Sequence, residues 1–189
     1  SWLVGAGGTH CPVYKTFFVR RHPRAPKNAI ATAEAEFPHA WRDSRCRLWF
    51  FENALPGYSW YVPKQHGYLN VGIGGKMAWL KKRGKTINDH WRAFAQKLDR
   101  KGLLSAEELT PKGYVYYLRG NADNAQRGKV LITGDAAGLA TKDMGEGIGP
   151  AVESGRLAAE AILSGKRYSI RSVTQWSAPQ ILLPKKAKS

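Results

Sequence analysis

Lys129 to Gly165 reads KVLITGDAAGLATKDMGEGIGPAVESGRLAAEAILSG. Val130-Leu131-Ile132-Thr133 is a short β-branched apolar run closed by Gly134-Asp135, the pattern of a buried strand. A loop carrying Gly138, Gly145, Gly147 and Gly149 follows. A helix is predicted from near Pro150, because a proline in the first turn lacks only an N–H that would be unpaired anyway. Ile148, Ala151, Val152, Gly155, Ala159 and Ile162 recur at three- and four-residue spacing and predict the buried face. Gly155 reads as a point of close approach and Gly165 as the C-terminal stop. Asp135, fixed at a strand end, can accept hydrogen bonds from a polyol or sugar hydroxyl. The glycines let backbone N–H groups reach a flat ligand. The helix start near Gly147 and Ile148 offers N–H groups and the positive dipole end to an anionic or carbonyl-bearing group. The competing reading is an ordinary strand–loop–helix unit, which the rarity of Gly-Asp followed by Gly-Glu-Gly-Ile disfavours.

GDAAGLATKDMGEGIGPAVESGRLAAEAI resembles the second flavin-binding motif of the FAD-dependent hydroxylase superfamily, and within it the geranylgeranyl reductase-like group. The resemblance implies that Asp135 binds the ribityl chain of FAD, with Gly134 and Gly138 beside it. It also implies that Gly145, Glu146, Gly147 and Ile148 bring backbone N–H groups to the flavin edge, where reduced flavin carries negative charge.

The N-terminal run Trp2-Leu3-Val4-Gly5-Ala6-Gly7-Gly8 suggests a strand before a dinucleotide loop, but G-x-G-x-x-G would need a small residue at His10. Pro12 stops any early helix unless it lies in the first turn. The chain then runs into Arg20-Arg21, not to an acidic residue. VGAGGTHCPV instead resembles the family's internal motif G-A-D-G-x-x-S-x-V, which lies beside the FAD diphosphate and ribityl chain. Gly5 and Gly8 match it and are cofactor-binding candidates. Gly7 stands where aspartate is expected and Cys11 where serine is common. Cys11 is read as a buried apolar filler in preference to a reactive thiol. By this resemblance the chain corresponds to the C-terminal portion of the family pattern, without the N-terminal part that carries G-x-G-x-x-G. The start at Ser1, without Met and inside a strand, suggests an excised or proteolytic piece or a truncated gene product.

From Asn28 onward a strand meander is predicted: Ala29 to Glu36, Arg47 to Phe51, Tyr58 to Pro63 and Tyr68 to Gly74, with turns at Leu55-Pro56-Gly57 and Lys64 to Gly67. Alternation puts Tyr58, Trp60 and Val62 on one face and Ser59 and Tyr61 on the other. GYSWYVPKQHGYLNVGIGG resembles the Y-x-W-x-x-P-K pattern of geranylgeranyl reductases. That implies a substrate-binding role for Tyr58, Trp60 and Pro63, with the Pro63-Lys64 turn approaching the flavin; sheet core is the competing reading of these aromatics. Flavin-dependent halogenases carry a related G-W-x-W-x-I-P pattern, with Tyr58 and Val62 as departures here.

Thr86 to Leu104 predicts a helix with Thr86 as N-cap, Asp89 completing an imperfect capping box, and Ile87, Trp91, Phe94, Ala95 and Leu98 facing inward. His90 is expected on the helix surface and Glu107-Glu108 as a solvated patch. Tyr114 to Leu118 predicts a strand and Gly120 to Gly128 a polar connection. The last stretch, with Trp176 and Ile181-Leu182-Leu183, has little pattern.

These readings give an α/β (α+β) chain: a partial FAD-binding Rossmann-like domain from 1–18 and 121–167, an antiparallel β-sheet substrate domain with a helix from 28–120, and a C-terminal tail from 168–189. The formal charge of +16 over 189 residues favours anionic partners. No helix-turn-helix, zinc-finger or RNA-binding motif accompanies it, which argues against nucleic acid and leaves peripheral contact with an anionic membrane. Two cysteines, Cys11 and Cys46, fit no metal motif and suit a reducing cytoplasm. No Ser-His-Asp elbow, P-loop or metal-ligand cluster appears, as expected where a cofactor carries the chemistry. The resemblance implies FAD as cofactor, NAD(P)H or a reduced redox protein as electron donor, and a hydrophobic or lipid substrate. The implied reaction is hydride transfer from reduced flavin to a carbon–carbon double bond. The alternatives are a flavin monooxygenase or halogenase and, in another class, a basic non-catalytic binding module.

Overall fold

The structure is a computed structural model that describes residues 1–41, 43–105, 109–120 and 124–177. The expected acidic pair Glu107-Glu108 and the apolar run Ile181-Leu182-Leu183 lie outside the described residues. The architecture mixes helices with antiparallel and parallel sheet, in line with the α+β expectation. The chain divides into two compact units: Ser1–Asn28 with Tyr116–Ser189, and Ala29–Val115.

The first unit is built on β1 (Leu3–Gly5), β7 (Gln126–Arg127) and β8 (Val130–Ile132). Among the described residues these form one small sheet in the order β1-β8-β7. β1 runs parallel to β8, with Leu3 opposite Val130 and Gly5 opposite Ile132. β7 lies within the stretch expected to be a plain polar connection. Helix α1 (Pro12–Phe17) starts on Pro12, the first-turn position that the sequence allowed. Helix α4 (Ile148–Ser164) starts at Ile148, two residues before the expected Pro150, and ends on Gly165 at φ 69°.

The expected buried face of α4 needs correction. Pro150, Ser154, Ala158 and Ala161 are buried, whereas Ile148 is 80% and Val152 69% exposed. Gly155 and Ala159 are exposed too, and a Cβ on Gly155 would meet nothing within 4 Å, so no close approach occurs there. The helix turns its small residues inward because Ser154 Oγ accepts from Gly134 N at 3.0 Å, tying the helix to the end of β8. The start of the segment read as the C-terminal tail is packed. Tyr168, Ile170 and Val173 are almost fully buried, in a core with Cys11, Tyr14, Leu131, Ile132 and Leu139.

In the second unit, β2 (Ala29–Pro38), β3 (Arg47–Phe50), β4 (Gly57–Lys64), β5 (Tyr68–Lys76) and β6 (Lys112–Tyr117, of which 112–115 belong to this unit) make a sheet in the order β3-β4-β5-β2-β6. The meander is antiparallel, with Trp60 opposite Gly72 and Ile73 opposite Ala33. One face is buried through Ala33, Ala35, Tyr61, Leu69, Val71 and Ile73, against Trp91, Phe94, Ala95 and Leu98 of α3 (Ile87–Arg100). Both bonds of the Thr86–Asp89 capping box form, so the box is complete. His90 is a second correction. It is 8% exposed, because its position between Ile87 and Phe94 turns toward the sheet. A short helix, α2 (Met77–Lys82), follows β5.

Candidate functional site

The first unit gathers the glycine-rich loops at the ends of β1 and β8. Thr133 N donates to Gly5 O at 3.0 Å, so the two strand ends stay in register where Gly134-Asp135 begins. Gly5 is sterically obligatory, since a Cβ there would lie 2.7 Å from Val13 Cβ and 2.9 Å from Cys11 Sγ. Cys11 is 1% exposed and belongs to the core, as the filler reading expects. Gly134 adopts φ 54° as the chain leaves β8 and turns toward α4.

Asp135 is half-buried in the turn that follows β8. Its Oδ1 would be 3.3 Å from a Cβ on Gly147, so the carboxylate lies directly beside the residue that precedes α4. Burial pushes the Asp135 carboxyl upward, and the charge of Arg24 opposes that rise. The loop between them is tightly tied. Thr141 N donates to Glu146 O, Glu146 N donates to Thr141 Oγ1, and Gly145 turns at φ 65° where a Cβ would meet Tyr116 Oη at 2.7 Å. Glu146 Oε1 accepts from Gly149 N at 2.8 Å, capping the first turn of α4. The other leading N–H groups of the helix have no partner within it. Ile148 projects outward beside them.

Thus Gly134, Asp135, Gly145, Glu146 and Gly147 form one cluster. Gly138, at φ 65°, closes the turn after Asp135 by donating its N–H to Asp135 O at 3.1 Å. Gly8 lies in the loop after β1. Arg24 joins that loop to the Asp135 turn, donating to the carbonyls of Thr9 and Ala136. Its guanidinium stacks over Tyr14, 3.7 Å from the ring centroid, and near Tyr117 at 5.3 Å. Arg24 Nε is buried and has no hydrogen-bond partner among the described residues. Sequence reasoning missed Arg24, which carries no motif. It also missed the bracing by the 170s segment: Lys142 Nζ donates to Gln175 Oε1, Ser177 N to Asp143 Oδ1, and Thr174 N to Glu153 Oε2. Buried Arg119 holds that segment through the carbonyls of Ile170 and Val173.

In the second unit, Tyr58 and Trp60 lie on the sheet face away from α3, with ring centroids 5.8 Å apart. The indole of Trp60 covers Gly72, where a Cβ would come within 2.2 Å of it, and Trp60 Nε1 donates to Asn70 Oδ1 at 2.6 Å. Asn70 and Lys64 both donate to Glu36, making a polar rim. Pro63 stands at the end of β4. An open cleft of about 280 Å³, lined by Glu34, Glu36, Phe37, Thr110 and Lys112, does not include Tyr58, Trp60 or Pro63.

The residues of the first unit fit the flavin group that the resemblance implies. A half-buried carboxylate acceptor stands beside a glycine whose missing side chain leaves it uncovered, and the start of α4 carries backbone N–H groups that the helix itself does not pair.

No protein-family model matches the chain. Its sequence is 30% identical over 182 residues to the geranylgeranyl diphosphate reductase of Synechocystis sp., covering 95% of this chain and 43% of that protein. It is 28% identical over 142 residues to the menaquinone reductase of Mycolicibacterium smegmatis, covering 75% of this chain and 34% of the relative. The fold superposes on a geranylgeranyl bacteriochlorophyll reductase-like protein from Thermoplasma acidophilum with a TM-score of 0.62 at 21% identity, covering 87% of this chain and 42% of the other. The chain therefore spans about two fifths of the length of the proteins it resembles.

Proposed function

We propose, from the premise that this chain is geranylgeranyl reductase-like in sequence and shares the fold of the FAD-dependent oxidoreductases, that its first unit holds part of an FAD and serves the reduction of carbon–carbon double bonds in a hydrophobic, isoprenoid-type substrate. The observation that carries the reading is the Asp135 carboxylate lying beside Gly147 at the start of α4. FAD, when bound, supplies the two-electron chemistry. The chain's own groups bind and orient. Asp135 accepts a hydrogen bond from a ribityl hydroxyl. The N–H groups near Gly147 and Ile148, with the helix dipole, favour negative charge at the flavin edge. Gly5, Gly8, Gly134, Gly138 and Gly145 hold the backbone close without side chains in the way. Glu146 acts through its cap on Gly149 and so fixes the angle of that helix start. On the second unit, Tyr58, Trp60 and Pro63 offer an apolar surface to a long hydrocarbon, with the Asn70–Glu36–Lys64 rim fixing the Trp60 ring. The electron donor is NAD(P)H or a small reduced redox protein.

The test is the visible absorption spectrum of the purified chain with FAD, before and after gel filtration. A perturbed flavin band that co-elutes with the chain is expected, and Asp135→Ala is expected to abolish its retention. Equal retention by the variant would sink the assignment. Reduction of a polyprenyl double bond without oxygen uptake separates this reading from a monooxygenase.

A further inference from the structure

The second unit carries a surface that the flavin reading does not use. Lys76 to Lys85 reads KMAWLKKRGK, five cations and no acid in ten residues. In α2 only Leu80 turns inward, while Met77 is 39% and Trp79 49% exposed. Lys82 Nζ lies 5.6 Å and the Arg83 guanidinium 5.8 Å from the Trp79 ring centroid. Arg83 also donates to the carbonyl of Ala54, and Lys76 N donates to Pro56 O at 3.0 Å. Those two bonds set α2 against the turn from Phe51 to Ala54. In that turn Phe51, Asn53 and Ala54 all hold positive φ, at 57°, 49° and 59°. Three non-glycine residues in the left-handed region are a backbone cost that persists only where the surroundings enforce it. The result is Phe51 at 71% exposed. The acid of the turn, Glu52, is paired with Lys97 and leaves the local charge cationic.

Single exposed apolar residues are ordinary. Here an exposed Trp and an exposed Phe lie among cations on two segments that Arg83 joins, stacking on Trp79 and donating to Ala54. That is the composition of a surface that enters a headgroup layer, with aromatic rings at the boundary and long basic side chains reaching outward to phosphate. We propose that α2 and the Phe51–Ala54 turn form a docking surface for an anionic lipid bilayer. Trp79 and Phe51 enter the headgroup boundary, and Lys76, Lys81, Lys82 and Lys85 meet lipid phosphates. An acidic protein or a nucleic acid duplex would use the cations and leave the apolar side chains without a role, whereas a bilayer uses both. The inference needs no bound flavin and stands independently of the cofactor reading.

The experiment is co-sedimentation of the full chain with phosphatidylcholine vesicles, with or without about a third phosphatidylglycerol, at moderate salt. Tryptophan quenching by brominated acyl chains is read on the same samples. Strong preference for the anionic vesicles with quenching is expected. Lys81→Gln with Lys82→Gln is expected to weaken partition about thirty-fold, equivalent to about 2 kcal/mol at about 1 kcal/mol per lysine. Lys166→Gln with Arg167→Gln removes the same charge from an exposed part of the first unit and is expected to change partition far less. Trp79→Ser should lose most of the quenching while circular dichroism stays unchanged. Equal loss in the two charge variants would overturn the proposal in favour of diffuse attraction by the whole basic chain. Unaltered quenching in Trp79→Ser, or binding to a polyanion but not to vesicles, would overturn it as well.

Discussion

Asp135 is held between two opposing influences, burial raising its pKa and Arg24 lowering it. The rise prevails, so the folded chain binds a proton more readily than the unfolded one. Stability therefore falls as pH rises from the ordinary carboxylate range through the folded pKa, and the ionised carboxylate is a net liability at neutral pH. Asp135→Asn is expected to raise the thermal midpoint of the cofactor-free chain at pH 7, an advantage that vanishes in acid, while weakening FAD retention. Arg24→Gln removes the opposing charge, so FAD binding followed by flavin fluorescence should fade at a higher pH than in the natural chain. Tyr14, Tyr117, Cys11 and His22 also face that guanidinium, but Asp135 is the acid among the groups acting on it. A pH profile identical in the two proteins would remove Arg24 from the site. Asp135 was legible because Gly-Asp at a strand end is a local pattern. Arg24 was not, because it bonds the Ala136 carbonyl across the chain and the surrounding sequence gives no sign of it. His90 was misread for a related reason: helical spacing placed it beside Phe94, but its polarity argued for solvent.

α4 shows how an element can be found while its orientation is missed. The helix and its Gly165 stop followed from spacing and a left-handed glycine. The buried face did not, because counting apolar residues favoured Val152 and Ile148 over Ser154. Ser154 is fully buried and satisfied on both sides, accepting from Gly134 N and donating to Ala151 O. Ser154→Ala would leave the buried Gly134 N–H unpaired and is expected to cost about 1–3 kcal/mol in urea unfolding. Because that bond fixes β8 to α4, the variant should also hold FAD less tightly. Loss of stability with unchanged FAD affinity would separate the scaffold from the site. α3 was read more successfully, since its apolar spacing and Thr86–Asp89 box are both local signals. The packing of Tyr168, Ile170 and Val173 was hidden because irregular segments have no period to read.

Across the whole molecule, two buried histidines make the fold sensitive to mild acid. Burial and Arg24 lower the pKa of His22; burial, Lys85 and Arg83 lower that of His90 against the pull of Asp89. A histidine with a depressed folded pKa contributes stability that is complete above its unfolded pKa and is lost as pH falls below it. The thermal midpoint should therefore drop between about pH 7 and about pH 5, and His22→Gln with His90→Gln should flatten that drop. An unaltered slope would assign acid sensitivity elsewhere. A strand meander with 2-residue alternation contrasts with the glycine-rich motifs on either side, and residues 116–120 group with the first unit through tertiary contacts. The parallel pairing of Leu3 with Val130 has a temporal consequence. The chain leaves and re-enters the first unit at neighbouring points, with Leu118 N donating to Asn28 O at 2.9 Å. On a ribosome, β1 emerges before β8, and their pairing waits until β8 has been made. The whole meander and α3 can complete in that interval, and closure of the first unit is left as the late, non-local step of biosynthesis.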